Sequence, residues 1–400
     1  MLFQTTRWGT AGRKLIALMN RHLPSTGASG IHDSDDRRDL RLDACRGLAL
    51  WMIFIDHIPG NWLGGWTPRN FGFSDMTEVF VFVSGYTCMV AYGGALQSQG
   101  WQTVATRAVR RAAEIYAAFL LLLMAYFIVI WTVGSGTRYL DETNTRVFFE
   151  SPGPALLHAA ILQYTPVNTD ILPIFVFLHL VFPLVLWLLL HNAAAALVIS
   201  LLAYLAVQRF GWNLPGWPAR TLYFNPLAWQ LLFVLGAWYA SGANIGLKRI
   251  LRSRAMLVLA ALYLAASLVT ALSWRIEALA GLMPDTIAAL IYPIDKSSLA
   301  PLRLLHFLAL AILVSQLVPS DWPSLMKPAM RATIRCGENS LAIYCIGVLL
   351  SFIGFAIISS FSGALLVQAA ISIGGIAVMI AAANLMTLAS RQDRPGPRLF

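Results

Sequence analysis

Residues 171–210 read ILPIFVFLHLVFPLVLWLLL-HN-AAAALVISLLAYLAVQRF. Each half is an apolar run of the length a helix needs to cross a bilayer, about 17–25 residues. Only His191-Asn192 separates the halves, which predicts two antiparallel helices joined by a tight hairpin. Runs of the same kind recur at 44–63, 76–96, 112–133, 224–240, 255–272, 299–318, 340–358 and 364–388. The chain therefore reads as an all-α, polytopic membrane protein with about ten transmembrane helices. Composition agrees: 58% of the 400 residues are hydrophobic and 12% are charged, about half the charged share of a soluble domain.

The net charge of +10 is distributed by topology. With the N-terminus in the cytoplasm, 21 of the 29 basic residues fall on the cytoplasmic side. They include Arg107, Arg110 and Arg111, then Lys248, Arg249, Arg252 and Arg254, then Lys327, Arg331 and Arg335, and the terminal Arg391, Arg394 and Arg398. This bias places both termini inside. No basic groove interleaved with stacking aromatics occurs, so nucleic acid is not an expected partner. Cys45, Cys88, Cys336 and Cys345 lie in or beside apolar runs without metal-type spacing; neither a metal site nor a disulfide framework is expected.

Three regions follow. Residues 1–40 form a basic cytoplasmic tail, in which Arg13, Lys14 and Arg21 flank Leu15, Ile16, Leu18 and Met19. That pattern suits either a short helix on an anionic lipid surface or a solvated tail. The first span serves as the retained targeting signal. Residues 41–390 form the membrane domain, and 391–400 a second basic tail. Two outer segments are long, 134–170 and 273–298, and residues 154–164 of the first have helical periodicity. Long loops on one face suit a binding role.

The chemistry-bearing residues begin in the first span. Arg46 and His57 are eleven residues apart, roughly 20° from a whole number of turns and about 16 Å along the axis. Asp43, Arg46, Leu50, Ile53 and His57 thus form one stripe. A cation and an imidazole on such a stripe are costly against lipid and are expected to face a polar cavity. Taken singly, Arg46 also suits a topology anchor, and His57 an interhelical hydrogen bond. Asp56 points about 100° away from His57. Asp75 and Glu78 have the spacing of a capping box, and Glu78 is expected at the depth of His57, where it would orient the imidazole or share its proton. Ser84-Gly85 suits close helix packing or the approach of a ligand. His179, Asn225 and Gln230 are further polar groups within spans, and Arg303 and His306 share a face at i, i+3.

These residues resemble known motifs. Arg46-x10-His57 is similar to the Arg-x10-His motif of the acyltransferase-three membrane superfamily. Phe80-Val-Phe-Val-Ser84-Gly85-Tyr86 resembles its Phe-Phe-x-x-Ser-Gly-Phe segment, with Tyr86 in place of the last Phe. The wider pattern resembles the OpgC family more closely. It runs through Arg41-Leu-Asp43 to His57, Ser74-Asp75 to Tyr86, Gln163 through Asn168-Thr-Asp170 to Pro173, Phe224-Asn225 to Trp229-Gln230, Asp295-Lys296 to His306, and Arg335 to Ser340.

That resemblance implies an enzyme of the bacterial inner membrane that transfers a succinyl group from cytoplasmic succinyl-CoA to osmoregulated periplasmic glucans. It implies no permanently bound cofactor. His57 would be the general base, with Asp56 and Glu78 stabilising its imidazolium. Arg46, Ser84, Arg107, Arg110 and Arg111 would meet the acyl-CoA. Asp75, Asn168, Asp170, Trp229, Gln230, Lys296, Arg303 and His306 would serve the acceptor side, with Arg303 the candidate for an acyl carboxylate. The residues themselves do not choose succinyl over acetyl, and they leave the oligomeric state open. A glycan or lipid-linked precursor transporter is the rival reading, but it predicts internal repeats with broken helices, and the sequence has no convincing repeat. A purely structural membrane partner leaves the Arg46–His57 stripe unexplained.

Overall fold

The computed structural model describes residues 39–133, 137–219, 221–242, 245–281, 283–319, 322–361 and 363–392. The tails were read as 1–40 and 391–400; of these, 1–38 and 393–400 lie outside the described residues, while Leu40 begins the first described helix and the last helix runs on to Gln392. No strand forms among the described residues, and one isolated bridge joins Pro215 to Thr221.

The main helices are α1 (Leu40–Asp56), α2 (Met76–Val133), α3 (Pro152–Ala160), α4 (Ile171–His191), α5 (Ala193–Phe210) and α6 (Pro226–Ser241). They continue with α7 (Arg254–Ser273), α8 (Pro301–Leu317), α9 (Pro328–Glu338), α10 (Ser340–Ser360) and α11 (Leu365–Gln392). Among the described residues, six helices are long and apolar enough to cross a membrane: α2, α4, α5, α7, α10 and α11. α8 is apolar but shorter, at 17 residues, and α1 and α6 have 17 and 16.

Two expected boundaries shift. The first span was read as 44–63, but α1 stops at Asp56 and His57 caps it. Pro59 disfavours helical backbone at Ile58, and Gly60 has φ +77°. The chain continues instead as 3₁₀ turns at Trp62–Trp66 and Pro68–Asn70. The second and third spans were read as separate runs; α2 carries both, 58 residues in all, broken at Gly100. There φ is +82° and ψ −178°, backbone that glycine adopts without a Cβ penalty. The hairpin is as read: α4 ends at His191, and the Asn192 side chain caps α5 by accepting from the Ala195 N–H at 3.0 Å.

Small residues let the helices close on one another. Gly85 of α2 lies against the Phe233 carbonyl of α6, and Gly236 of α6 lies against the Phe82 carbonyl of α2. Gly47 of α1 and Gly337 of α9 make the same reciprocal approach, to Thr333 and Asp43. A methyl at any of the four would meet backbone, so these crossings require glycine. The Ser84-Gly85 pair is thereby divided: the glycine packs on α6 while the serine faces an interior cavity.

The bundle has two distinct ends. At one, Arg41 donates to the Val318 carbonyl at 2.8 Å and Arg335 to Asn384 at 2.6 Å. This basic end also carries the Gly100 break. At the other, the connecting loops tie together: Asn225 N–H donates to Ser297, Trp217 N–H to Gln163, and Arg275 to Gly65 and Asn70. α3, within the region whose periodicity predicted a helix, packs along the second half of α2: Ala155 and Ala159 meet Leu123 and Phe127, and the Ala160 carbonyl accepts from the Tyr116 hydroxyl at 2.7 Å.

Candidate functional site: a cavity through the bundle and an ion cluster at its loop end

One cavity of about 460 Å³ penetrates the bundle. Arg46, Ser84, Arg107, Arg110 and Arg111 all line it, so the fold brings together the five residues assigned to a donor by resemblance. Arg107, Arg110, Arg111, Glu114 and Glu338 form its wall at the basic end. Glu114 pairs with both Arg110 and Arg111 at 3.1 Å; these pairs are solvent-exposed and so contribute little stability. Deeper in, Arg46 bonds the Thr87 hydroxyl, reaches the Val83 carbonyl at 3.4 Å and lies 3.6 Å from Asp43. Cys88 and His179 share the wall at this depth, 3.6 Å apart, with His179 Nδ1 2.8 Å from the Phe175 carbonyl. The cavity ends near the loop end, at Phe80, Ile171, Leu172, Phe175 and Tyr344.

His57 lies beyond that point. It lines a narrow cleft with Leu50, Ile53, Phe54, Ile343, Tyr344, Gly347 and Val348, too tight to admit a water molecule. The expected single polar cavity along the Arg46–His57 stripe is thus divided. Arg46 faces the wide cavity, while Leu50, Ile53 and His57 face the cleft. Tyr344 belongs to both walls. His57 Nδ1 is buried without a hydrogen-bond partner among the described residues, and the charged groups that bear on the ring are Lys296, Asp75 and Arg69.

Glu78 was expected beside His57; the fold commits it elsewhere. Its Oε1 accepts from Arg303 Nε at 2.7 Å, and its Oε2 accepts from the Asp75 N–H at 3.0 Å. Asp75 in turn bonds Arg303 at 3.0 Å, Lys296 at 2.7 Å and the Thr77 N–H at 2.8 Å. The capping box is therefore formed, and two carboxylates balance two cations in a buried cluster. Arg303 was the candidate for an acyl carboxylate, but both its carboxylate partners already hold it. Lys296 is the more accessible cation, its side chain 26% exposed against 10% for Arg303. It also stands over the Phe224 ring, 5.6 Å from the centroid.

The other acceptor-side residues divide by exposure. Trp229 is fully buried, and its indole N–H donates to the carbonyls of Lys296 and Ser297 at 3.1 and 3.0 Å. It positions the Lys296 loop and has no surface to offer a substrate. Gln230 ties α6 to α5: its Oε1 accepts from the Ser200 hydroxyl at 2.7 Å and its Nε2 donates to the Ser200 carbonyl at 2.8 Å. His306 is buried, with Nδ1 2.7 Å from the Ser74 hydroxyl and its ring edge against Gly72. Asp56 accepts from the Thr67 hydroxyl and so fixes the 3₁₀ segment after α1. Asn168 has φ +69° and presents its carbonyl to the Tyr344 hydroxyl at 2.5 Å. Asp170, just before α4, keeps one carboxylate oxygen buried and unpartnered among the described residues. Burial pushes its carboxyl up to about 6, against the opposing pull of nearby backbone N–H groups and Lys296.

Tyr344 was not singled out from the sequence. A lone tyrosine within an apolar run reads as core packing, and its place between two cavities depends on how α10 sets against α1, α2 and α4.

A helical bundle with membrane-length apolar helices marks an integral membrane protein, here with a cation-lined cavity in its interior. The chain belongs to the OpgC protein family, whose sequence profile matches residues 38–391. No curated protein and no solved structure gives a significant match.

Proposed function

We propose that this protein is an inner-membrane O-acyltransferase that carries an acyl group, succinyl by family resemblance, from cytoplasmic acyl-CoA to hydroxyls of a periplasmic glucan. In this reading the polypeptide crosses the membrane ten times with both ends in the cytoplasm. α1, α6 and α8 then join the six longer helices, and α2 crosses twice about Gly100. The basic end faces the cytoplasm and the loop end the periplasm. OpgC family membership supports a role in glucan modification.

The observation that carries the reading is the cavity itself. It runs from three arginines at the basic end to the first turn of α4 at the loop end. Guanidinium groups suit the phosphates of CoA, and the narrower interior suits an extended pantetheine arm. The far end of that path abuts the wall of the His57 cleft. There an acceptor hydroxyl from the loop side would meet the thioester. His57 takes the hydroxyl proton as the oxygen attacks. Lys296 and Arg69 both act electrostatically on His57, and Lys296, more exposed than Arg303, is our candidate cation for an anionic acyl chain.

Mass spectrometry of periplasmic glucan from a deletion strain tests this reading against a transporter. An acyltransferase leaves glucan at normal amount but without its anionic substituent. Loss of glucan from the periplasm, or its retention in the cytoplasm, marks a transporter.

A further inference from the structure

Tyr344 is the one side chain common to the wide cavity and the His57 cleft. Its ring belongs to an aromatic group that closes the cavity: Phe80 lies 5.5 Å from Phe175 and 6.5 Å from Tyr344, between ring centroids. Its hydroxyl donates to the Asn168 carbonyl at 2.5 Å. Asn168 sits in left-handed backbone at φ +69°, two residues before Asp170. Tyr344 thus stands between the His57 cleft on one side and the Asn168–Asp170 turn on the other, and each holds a buried polar atom with no partner among the described residues, His57 Nδ1 and Asp170 Oδ1. Buried polar atoms left unpaired are costly and suit a site that a substrate completes.

Resting on the acyl-transfer reading above, we propose that Tyr344 is a catalytic residue: its hydroxyl is the hydrogen-bond donor to the oxyanion formed at the thioester carbonyl. In the structure the cleft around His57 has no room for a reactant. Seating a thioester requires the Tyr344 ring to swing from the shared wall. That movement takes its hydroxyl off the Asn168 carbonyl and turns it toward the incoming acyl group. The acceptor oxygen then bonds to the acyl carbon while its proton passes to His57. The carbonyl oxygen becomes an anion and accepts from the Tyr344 hydroxyl. On collapse the carbon–sulfur bond breaks, and the CoA thiolate takes the proton from the His57 imidazolium. The products are one ester and one free thiol, with no other reactant. Aspartate or glutamate would repel the oxyanion. The Tyr344 phenol is the O–H donor that the wide cavity shares with the His57 cleft, whereas Ser84 and Thr87 line the wide cavity alone and donate within their own helix to the Phe80 and Val83 carbonyls at 2.7 and 3.0 Å.

The test uses the full-length protein reconstituted in lipid with succinyl-CoA and glucan, following ester formation and thiol release together. Tyr344→Phe keeps the ring and removes the donor. The expected result is a fall in kcat of about 10²-fold, the loss typical of one oxyanion donor, with the KM for succinyl-CoA within about twofold of wild type. Tyr344→Phe turning over at the wild-type rate overturns the proposal. So does a pattern in which Phe is normal and Tyr344→Ala merely releases thiol without glucan, which would make the ring only a barrier. His57→Ala, run in parallel, separates the two levels. If it is inactive while Tyr344→Phe is normal, the tyrosine assignment alone fails. If it transfers at the wild-type rate, the acyl-transfer mechanism itself fails.

Discussion

Replacing His57 with alanine is expected to lower acyl transfer by about 10²–10⁴-fold, the range for loss of a general base, while the protein still accumulates in the membrane. His57 caps α1 through its backbone N–H, which bonds the Ile53 carbonyl at 3.0 Å. Alanine retains that bond. The imidazole Nδ1 has no hydrogen bond to lose among the described residues, so the side chain is not a tie that holds the bundle. The variant should therefore separate activity from folding cleanly. Mass spectrometry of periplasmic glucan from cells expressing it, beside its level in membranes, checks the result. Glucan with its full complement of anionic substituents would remove His57 from the chemistry.

The second large effect is on stability. Arg303→Met is expected to destabilise the protein by about 3–5 kcal/mol, because it strands Glu78 and weakens the neutralisation of Asp75. Glu78 is fully buried, and Arg303 is its side-chain partner within the cluster. Lys296 still holds Asp75 but makes no bond to Glu78. Adding Glu78→Gln to Arg303→Met should recover a large part of the loss, since the stranded charge is then gone. Thermal unfolding in detergent, with the two single variants and the double, measures the coupling. A double variant no more stable than Arg303→Met would mean that the ion cluster does not act as a unit.

The contrast between Arg303 and Lys296 shows what the sequence carries and what it leaves to the fold. Membrane helices are legible because apolar length is a local property: the His191-Asn192 hairpin, the limits of α7 and α8 and the short α3 all follow from runs of residues. The capping box at Asp75 and Glu78 is equally local. Partner choice across helices is not. Glu78 was expected at the depth of His57, but 225 residues separate it from the arginine that binds it. Nothing in the spacing along α2 announces that pairing. Trp229 and Gln230 fell within a motif and were read as substrate contacts; in the fold the fully buried Trp229 braces the Lys296 loop, and the half-buried Gln230 ties α5 to α6. α9 was read as a basic connecting segment that runs into the Arg335–Ser340 motif. Its packing on α1 depends on Gly47 and Gly337 meeting, a coincidence of two distant glycines. The five donor-side residues converged better, because Arg46, Ser84, Arg107, Arg110 and Arg111 lie on α1 and α2, adjacent in sequence and packed together.

The central claim is that donor and acceptor reach the protein from opposite sides of the membrane. Inverted membrane vesicles test it most directly: glucan is enclosed in the lumen and labelled succinyl-CoA is supplied only outside, where the cytoplasmic face is exposed. The account predicts that label accumulates as ester on the enclosed glucan, and that vesicles carrying His57→Ala show none. Label appearing only on glucan added outside, on the same side as the donor, would contradict it.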